Sequence, residues 1–150
     1  MKKHTTHTPR EVRASDILLT AMGAVRAAKH RIYATMDLKE ELTHPLPPEY
    51  FSLLKKKQGG GIQITRIGFG TKSAFLKLSR KLTKTGAQGT FLRAQQGAYK
   101  RMLLVDGKVL LFAREKGGKR NYFLSRDPSM IKTYRKYFRS ILGKSSSAPQ

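Results

Sequence analysis

Two four-residue apolar runs, Met102-Leu103-Leu104-Val105 and Val109-Leu110-Leu111-Phe112, stand on either side of Asp106-Gly107. Asp-Gly between apolar runs is the signature of a type I′ hairpin turn, whose central residues take positive φ and whose twist matches the flanking strands. A chain that commits to this hairpin builds a sheet around it, and the segments on either side say what kind. Upstream, Ser15-Asp16 offers an N-cap, and Ile17, Leu18, Ala21, Met22, Val25 and Ala28 recur at helical spacing, which predicts a helix over 15–29. Arg31-Ile-Tyr-Ala-Thr35 has the β-branched and aromatic character of a short strand, followed by a polar connection over 36–42 and a proline-rich break over 43–48. Pro48 sits at a favoured first-turn position for a helix ending near Gln58. Ile62, Ile64 and Ile67 then mark a strand leading into Gly68-Phe69-Gly70.

The alternation continues. Thr71 caps a predicted helix with Ala74, Phe75, Leu78 and Leu82 on one stripe, and Thr90–Arg93 reads as a strand before the hairpin. Tyr122–Leu124 reads as a last strand. Asp127 and Pro128 open a final helix with Ile131, Tyr134, Phe138, Ile141 and Leu142 on one face, stopped by Gly143. This order predicts an α/β fold: one mixed β-sheet flanked by helices. At 150 residues the chain has the length of one domain, expected over 14–142 between a flexible basic tail at 1–13 and a disordered tail at 143–150.

Charge constrains the partner. The 31 Lys and Arg against 9 Asp and Glu give a formal net charge of +22. A surface evolved only for solubility mixes both signs, whereas a one-sided excess matches a phosphate backbone that releases its counterions on binding. No apolar stretch approaches the roughly 20 residues that span a bilayer, and no apolar run follows Lys2-Lys3, so no membrane partner and a cytoplasmic, nucleoid- or RNA-associated setting are expected. There is no cysteine, which excludes disulfides, thiol catalysis and thiolate metal sites. His4 and His7 lie near a terminus without carboxylate partners and are read as solvated. No metal and no cofactor are expected.

The stretch from Tyr99 through Phe112 resembles the core hairpin of the phospholipase D-like superfamily, whose signature H-x-K-x-x-x-x-D precedes such a hairpin. The family His falls on Tyr99, the Lys on Arg101 and the Asp on Asp106. The helix after Asp127, and the first helix with its following strand, are similar to the elements that frame such a domain. The resemblance implies a phospholipase D-like α/β domain with a degenerate site. A phenol with a pKa of about 10 is protonated at neutral pH and a poor substitute for an imidazole nucleophile. Arg101 retains a guanidinium fork suited to phosphate. The polar Gly-Ser-x-Asn segment of the family is replaced by Ala113-Arg114-Glu115-Lys116. Asp106-Gly107 has a second explanation in turn chemistry alone. The resemblance also implies a homodimer, with two motifs across a shared cleft.

Expected nucleic-acid-binding residues fall into groups: Lys100 and Arg101 at the motif; Lys116, Lys119 and Arg120 in a flexible charged loop; Lys55, Lys56 and Lys57; Lys77, Arg80 and Lys81 on the basic helix; and Lys132, Arg135, Lys136 and Arg139 on the last helix. Such spreading favours backbone contact with weak sequence choice, to DNA or RNA. Tyr122, Phe123 and Phe69 are candidates to stack on unpaired bases. Gly68-Phe-Gly70 reads as a tight turn before a phosphate cradle, and structural roles account for His30 and His44. Two other classes stay open: a phosphodiesterase or nuclease using Tyr99 or another nucleophile, and an RNA-associated structural subunit of a larger nucleoprotein complex.

Overall fold

In the computed structural model, residues 8–86, 89–95 and 97–146 are described. Apolar alternation along the strands divides them between two helical layers. In the hairpin, Leu103, Val105 and Leu111 are buried with Ile32 against Val25 and Ala28 of α1 (Ile17–Arg26) and Tyr50 and Leu54 of α3 (Pro48–Gly59). Met102, Leu104, Leu110 and Phe112 point the other way, onto Ile131, Phe138 and Ile141 of α5 (Pro128–Leu142). This is period-two patterning with both faces covered, so each strand reads as an unbroken apolar run. A third cluster joins Phe75, Leu78 and Leu82 of α4 (Lys72–Thr85) to Leu38, Met36 and Phe91.

The strands are β1 (Arg10–Val12), β2 (Arg31–Asp37), β3 (Gln63–Phe69), β4 (Thr90–Ala94), β5 (Met102–Val105), β6 (Val109–Lys116), β7 (Lys119–Ser125) and β8 (Ser145–Ser146). They form one mixed sheet in the order β1-β7-β6-β5-β2-β3-β4-β8. β2, β3 and β4 are parallel neighbours, and the remaining pairings are antiparallel. The expected mixed sheet flanked by helices is present, and two predicted caps hold: Thr71 accepts from Ala74 N, and Asp127 from Ser129 N and Met130 N; Pro48 opens α3 as expected, whereas Asp16 makes no capping bond to α1 and pairs instead with Arg13. Phe138, fully buried, stacks on Tyr33 with ring centroids 4.5 Å apart and fixes α5 on the sheet.

Three segments differ from expectation. Arg10–Val12, read as tail, is the edge strand β1, with Val12 paired to Tyr122 and buried. Ser145–Ser146, also read as tail, is β8 and pairs with Ala94 and Arg93 of β4. The polar connection after Thr35 continues β2 to Asp37 and then forms α2 (Leu38–Thr43). Asp37 accepts from Lys39 N and Glu40 N and so starts this helix. Leu38 anchors it, fully buried over the end of β3. A Cβ on Gly68 would collide with Leu38 Cδ2, and one on Gly70 would lie 3.0 Å from Leu38 Cβ. Close approach of α2 therefore explains the Gly68-Phe69-Gly70 pair.

Candidate phosphate-binding cleft

The segment between β4 and β5 is held by side chains from two other elements. Thr35 Oγ1 of β2 donates to Lys100 O (2.6 Å) and accepts from Met102 N (3.0 Å). On α5, the Tyr137 hydroxyl accepts from Lys100 N (2.8 Å) and donates to Ala98 O (2.6 Å). Tyr99 is thereby turned inward against Phe69, with ring centroids 5.3 Å apart. Its hydroxyl is buried without a hydrogen-bond partner among the described residues, and burial pushes the phenol well above its ordinary pKa. A nucleophile needs the opposite shift.

Arg101 faces an internal carboxylate. Its Nη2 lies 2.6 Å from Glu40 Oε1, and Arg120 grips the same carboxylate with two bonds of 2.9 Å. Arg120 Nε also donates to Glu115 (2.6 Å). The Arg120 bond, more than the neighbouring Arg101 charge, holds the Glu40 carboxyl below the usual carboxylate range. Beside this network opens a cleft of about 600 Å³ lined by Lys100, Arg101, Arg114, Lys116 and Arg120, with Asp37 and Glu115 as its acids and Tyr99 and Tyr134 as aromatic walls. The Lys100 ammonium stands 5.2 Å from the Tyr137 ring centre and 6.0 Å from that of Tyr134. Arg114 lies 5.2 Å from the ring centres of both Phe112 and Phe123. Such cation–π placement directs positive charge without neutralising it.

Asp106 lies at the opposite end of β5. It and Gly107 have φ of 56° and 66°, and Lys108 N donates to Val105 O (2.9 Å), the expected type I′ turn. The Asp106 carboxylate accepts from Lys29 N (2.8 Å), His30 N (2.8 Å) and Arg31 N (2.9 Å). Burial acts to raise its pKa, but these N–H groups together bring it below the ordinary value. Of the three positions aligned with the family motif, the structure brings together Tyr99 and Arg101 and leaves Asp106 to fasten the α1–β2 junction.

No family model matches the chain, and no curated protein sequence matches it. Solved structures do. Nuc from Salmonella typhimurium, a phospholipase D family member, superposes with a TM-score of 0.63 at 8% identity, over 95% of this chain and 97% of that one. NucT from Helicobacter pylori gives 0.61 at 11% identity, over 93% and 96%. The fold is the phospholipase D fold. TrmBL2, described as an archaeal chromatin protein with a novel mode of DNA binding, gives 0.67 at 14% identity, over 95% of this chain and 55% of that one.

Within this phospholipase D fold, the expected binding residues separate. Lys100, Arg101, Lys116 and Arg120 meet in the cleft, joined by Arg114 and by Tyr134, which sequence reasoning placed only on the apolar face of the last helix. The segment 116–120 is a tight hairpin and not a flexible loop: Lys116 pairs with Lys119 across Gly117-Gly118, both with positive φ (59° and 77°). Two consecutive glycines close a two-residue turn as well as they loosen a longer one. Lys55, Lys56 and Lys57 end α3, where Lys57 Nζ donates to Arg26 O. Lys77, Arg80 and Lys81 are exposed on α4, and Lys132, Lys136 and Arg139 on α5, with Arg135 half-buried. None of these lines the cleft.

The stacking candidates are engaged internally: Phe123 on Phe112 (5.3 Å), Phe69 on Tyr99, and Tyr122 along a half-open pocket of about 250 Å³. That pocket also meets buried Arg66 and half-buried Glu41; Glu41 accepts from Leu46 N (3.0 Å), and burial raises its pKa. His44 Nδ1 lies 3.2 Å from Thr43 Oγ1, while His4 and His7 fall outside the described residues. Among the described residues no group of three His, Asp or Glu side chains is placed to hold a metal, and no helix is long and apolar enough to cross a membrane.

Proposed function

We propose that this chain binds nucleic acid through the phosphate backbone and does not cleave phosphodiesters at Tyr99. The observation that carries the reading is the convergence of five cationic side chains on one cleft in a chain of net charge +22. Backbone contacts of this kind give affinity with little sequence choice. That Tyr99 is not a nucleophile is supported by its hydroxyl, which is buried and held well above its ordinary pKa. Arg101, which already faces Glu40, supports the same reading. Two likenesses support the reading: the fold shared with a phospholipase D family member, and that shared with a chromatin protein described as binding DNA. We extend it to a homodimer placing two such clefts together, within a larger nucleoprotein complex.

The test is binding of the full chain to labelled single- and double-stranded DNA and RNA across a salt series, with the same substrates followed for cleavage with and without divalent cations. The expected result is binding whose log affinity falls linearly with log salt, without cleavage. No binding at low salt rejects the reading. Cleavage that survives in Arg101→Ala locates a nuclease elsewhere, and cleavage lost in Tyr99→Phe assigns it to the phenol.

A further inference from the structure

At the far end of β5 from the cleft, a second pocket of about 260 Å³ opens beside the Asp106–Gly107 turn. His30, Arg31, Arg135 and Arg139 line it. Arg31 and Arg139 are exposed, while Arg135 is half-buried and drawn toward the turn, its Nη2 3.5 Å from Gly107 O. A Cβ at position 107 would lie 2.7 Å from that nitrogen, so the glycine makes room for the guanidinium as well as for the turn. Arg135 and Arg139 are one helical turn apart on α5 and present their charges to the same side.

What distinguishes this pocket is its acid. Among the described residues Asp106 is the sole carboxylate lining it, and both its oxygens are engaged by the backbone N–H groups of Lys29, His30 and Arg31. Arg31, Arg135 and Arg139 form no ion pair among the described residues. In the motif cleft, by contrast, Arg101 and Arg120 share the Glu40 carboxylate, and Arg120 takes Glu115 as well. A phosphate approaching the cleft competes with an internal anion. One approaching the far pocket meets three guanidinium groups that carry no ion pair among the described residues, against the single carboxylate of Asp106, and each can present a two-pronged donor face.

We infer that the pocket of Arg31, Arg135 and Arg139 is the chain's principal phosphate-binding site, taking a phosphate of the nucleic-acid backbone. This rests on the nucleic-acid reading above. The two pockets flank α5: Tyr134 lines one and Arg135, the next residue, lines the other. They are separated by the length of β5, four residues or about 13 Å. A strand crossing α5 would touch both, with the far pocket supplying the tighter grip.

The experiment compares Arg31→Ala/Arg139→Ala with the charge-matched control Arg10→Ala/Lys84→Ala on β1 and α4, all side chains exposed in the fold. Circular dichroism and thermal melting first establish that both variants fold. Labelled DNA and RNA are then titrated across a salt series. The site variant is expected to lose about tenfold or more in affinity at moderate salt and to flatten the log–log salt slope by about two, against less than about threefold for the control. Equal losses would mean that only the overall charge matters and would overturn the assignment, leaving the nucleic-acid reading intact. A wild-type chain that binds no nucleic acid removes that reading itself. Inorganic phosphate is titrated separately by calorimetry. Saturable phosphate binding lost in the site variant, with nucleic-acid affinity unchanged, would assign the pocket to a free anion and overturn the backbone assignment.

Discussion

Three backbone N–H groups, from Lys29, His30 and Arg31, end on the carboxylate of Asp106, which also holds a positive-φ turn position. Asn tolerates that conformation but brings one acceptor oxygen and no charge. Asp106→Asn should therefore cost about 1–3 kcal/mol at neutral pH, read by denaturant unfolding. The sign of its pH dependence follows from the depressed pKa. The carboxylate's contribution is present above the unfolded value, near 3.8, and is lost as pH falls through the lower folded value, so wild type and variant should converge in acid. Tyr99 is the opposite case. Its hydroxyl is buried with no partner, so Tyr99→Phe should leave the melting temperature unchanged or raise it, and leave nucleic-acid affinity unchanged. The turn role of Asp106 was readable because Asp-Gly chemistry is local. That Tyr99 turns inward depends on Thr35 and Tyr137, residues far away in the chain, and no local pattern announces it.

Among the elements, the short α2 was missed and is the one that sets the character of the cleft. Six residues carry too little periodicity to register as a helix, and this one is defined by the Asp37 cap and by Leu38 seated over Gly68. Gly68→Ala would push Leu38 off β3, with an expected loss of about 2 kcal/mol from overpacking, measurable by thermal denaturation. Glu40, on the same helix, stands between Arg101 and Arg120. Glu40→Gln should tighten nucleic-acid binding and steepen the salt slope by one to two units, because both guanidinium groups become available to phosphate. A weaker-binding Gln variant would show instead that Glu40 is needed to position the arginines. The longer helices and the hairpin were readable from periodicity and caps. The meeting of residues 40, 101 and 120 was not, since it is made by the sheet order.

Over the whole molecule, a net charge of +22 on 150 residues favours polyanion binding and works against compactness. These two effects respond to salt with opposite signs. Added salt should weaken nucleic-acid binding and, by screening self-repulsion, raise the melting temperature of the free chain between about 20 and 200 mM, the range over which the Debye length falls below the spacing of surface charges. A fall in melting temperature over that range would mean that the chain's few ion pairs outweigh its repulsion. By its sequence the polar stretch after Gly143 reads as tail, yet Ser145–Ser146 pairs with β4 and Gln95 N donates to Lys144 O. Those residues cover the Arg93–Gln95 end of the open edge of β4, much as β1 covers part of β7 at the other side. Clipping the chain at Leu142 would leave the helical core intact but bare that edge, and a bare strand recruits strands from its neighbours. The cost of losing an apparently dispensable serine run would then be read as aggregation.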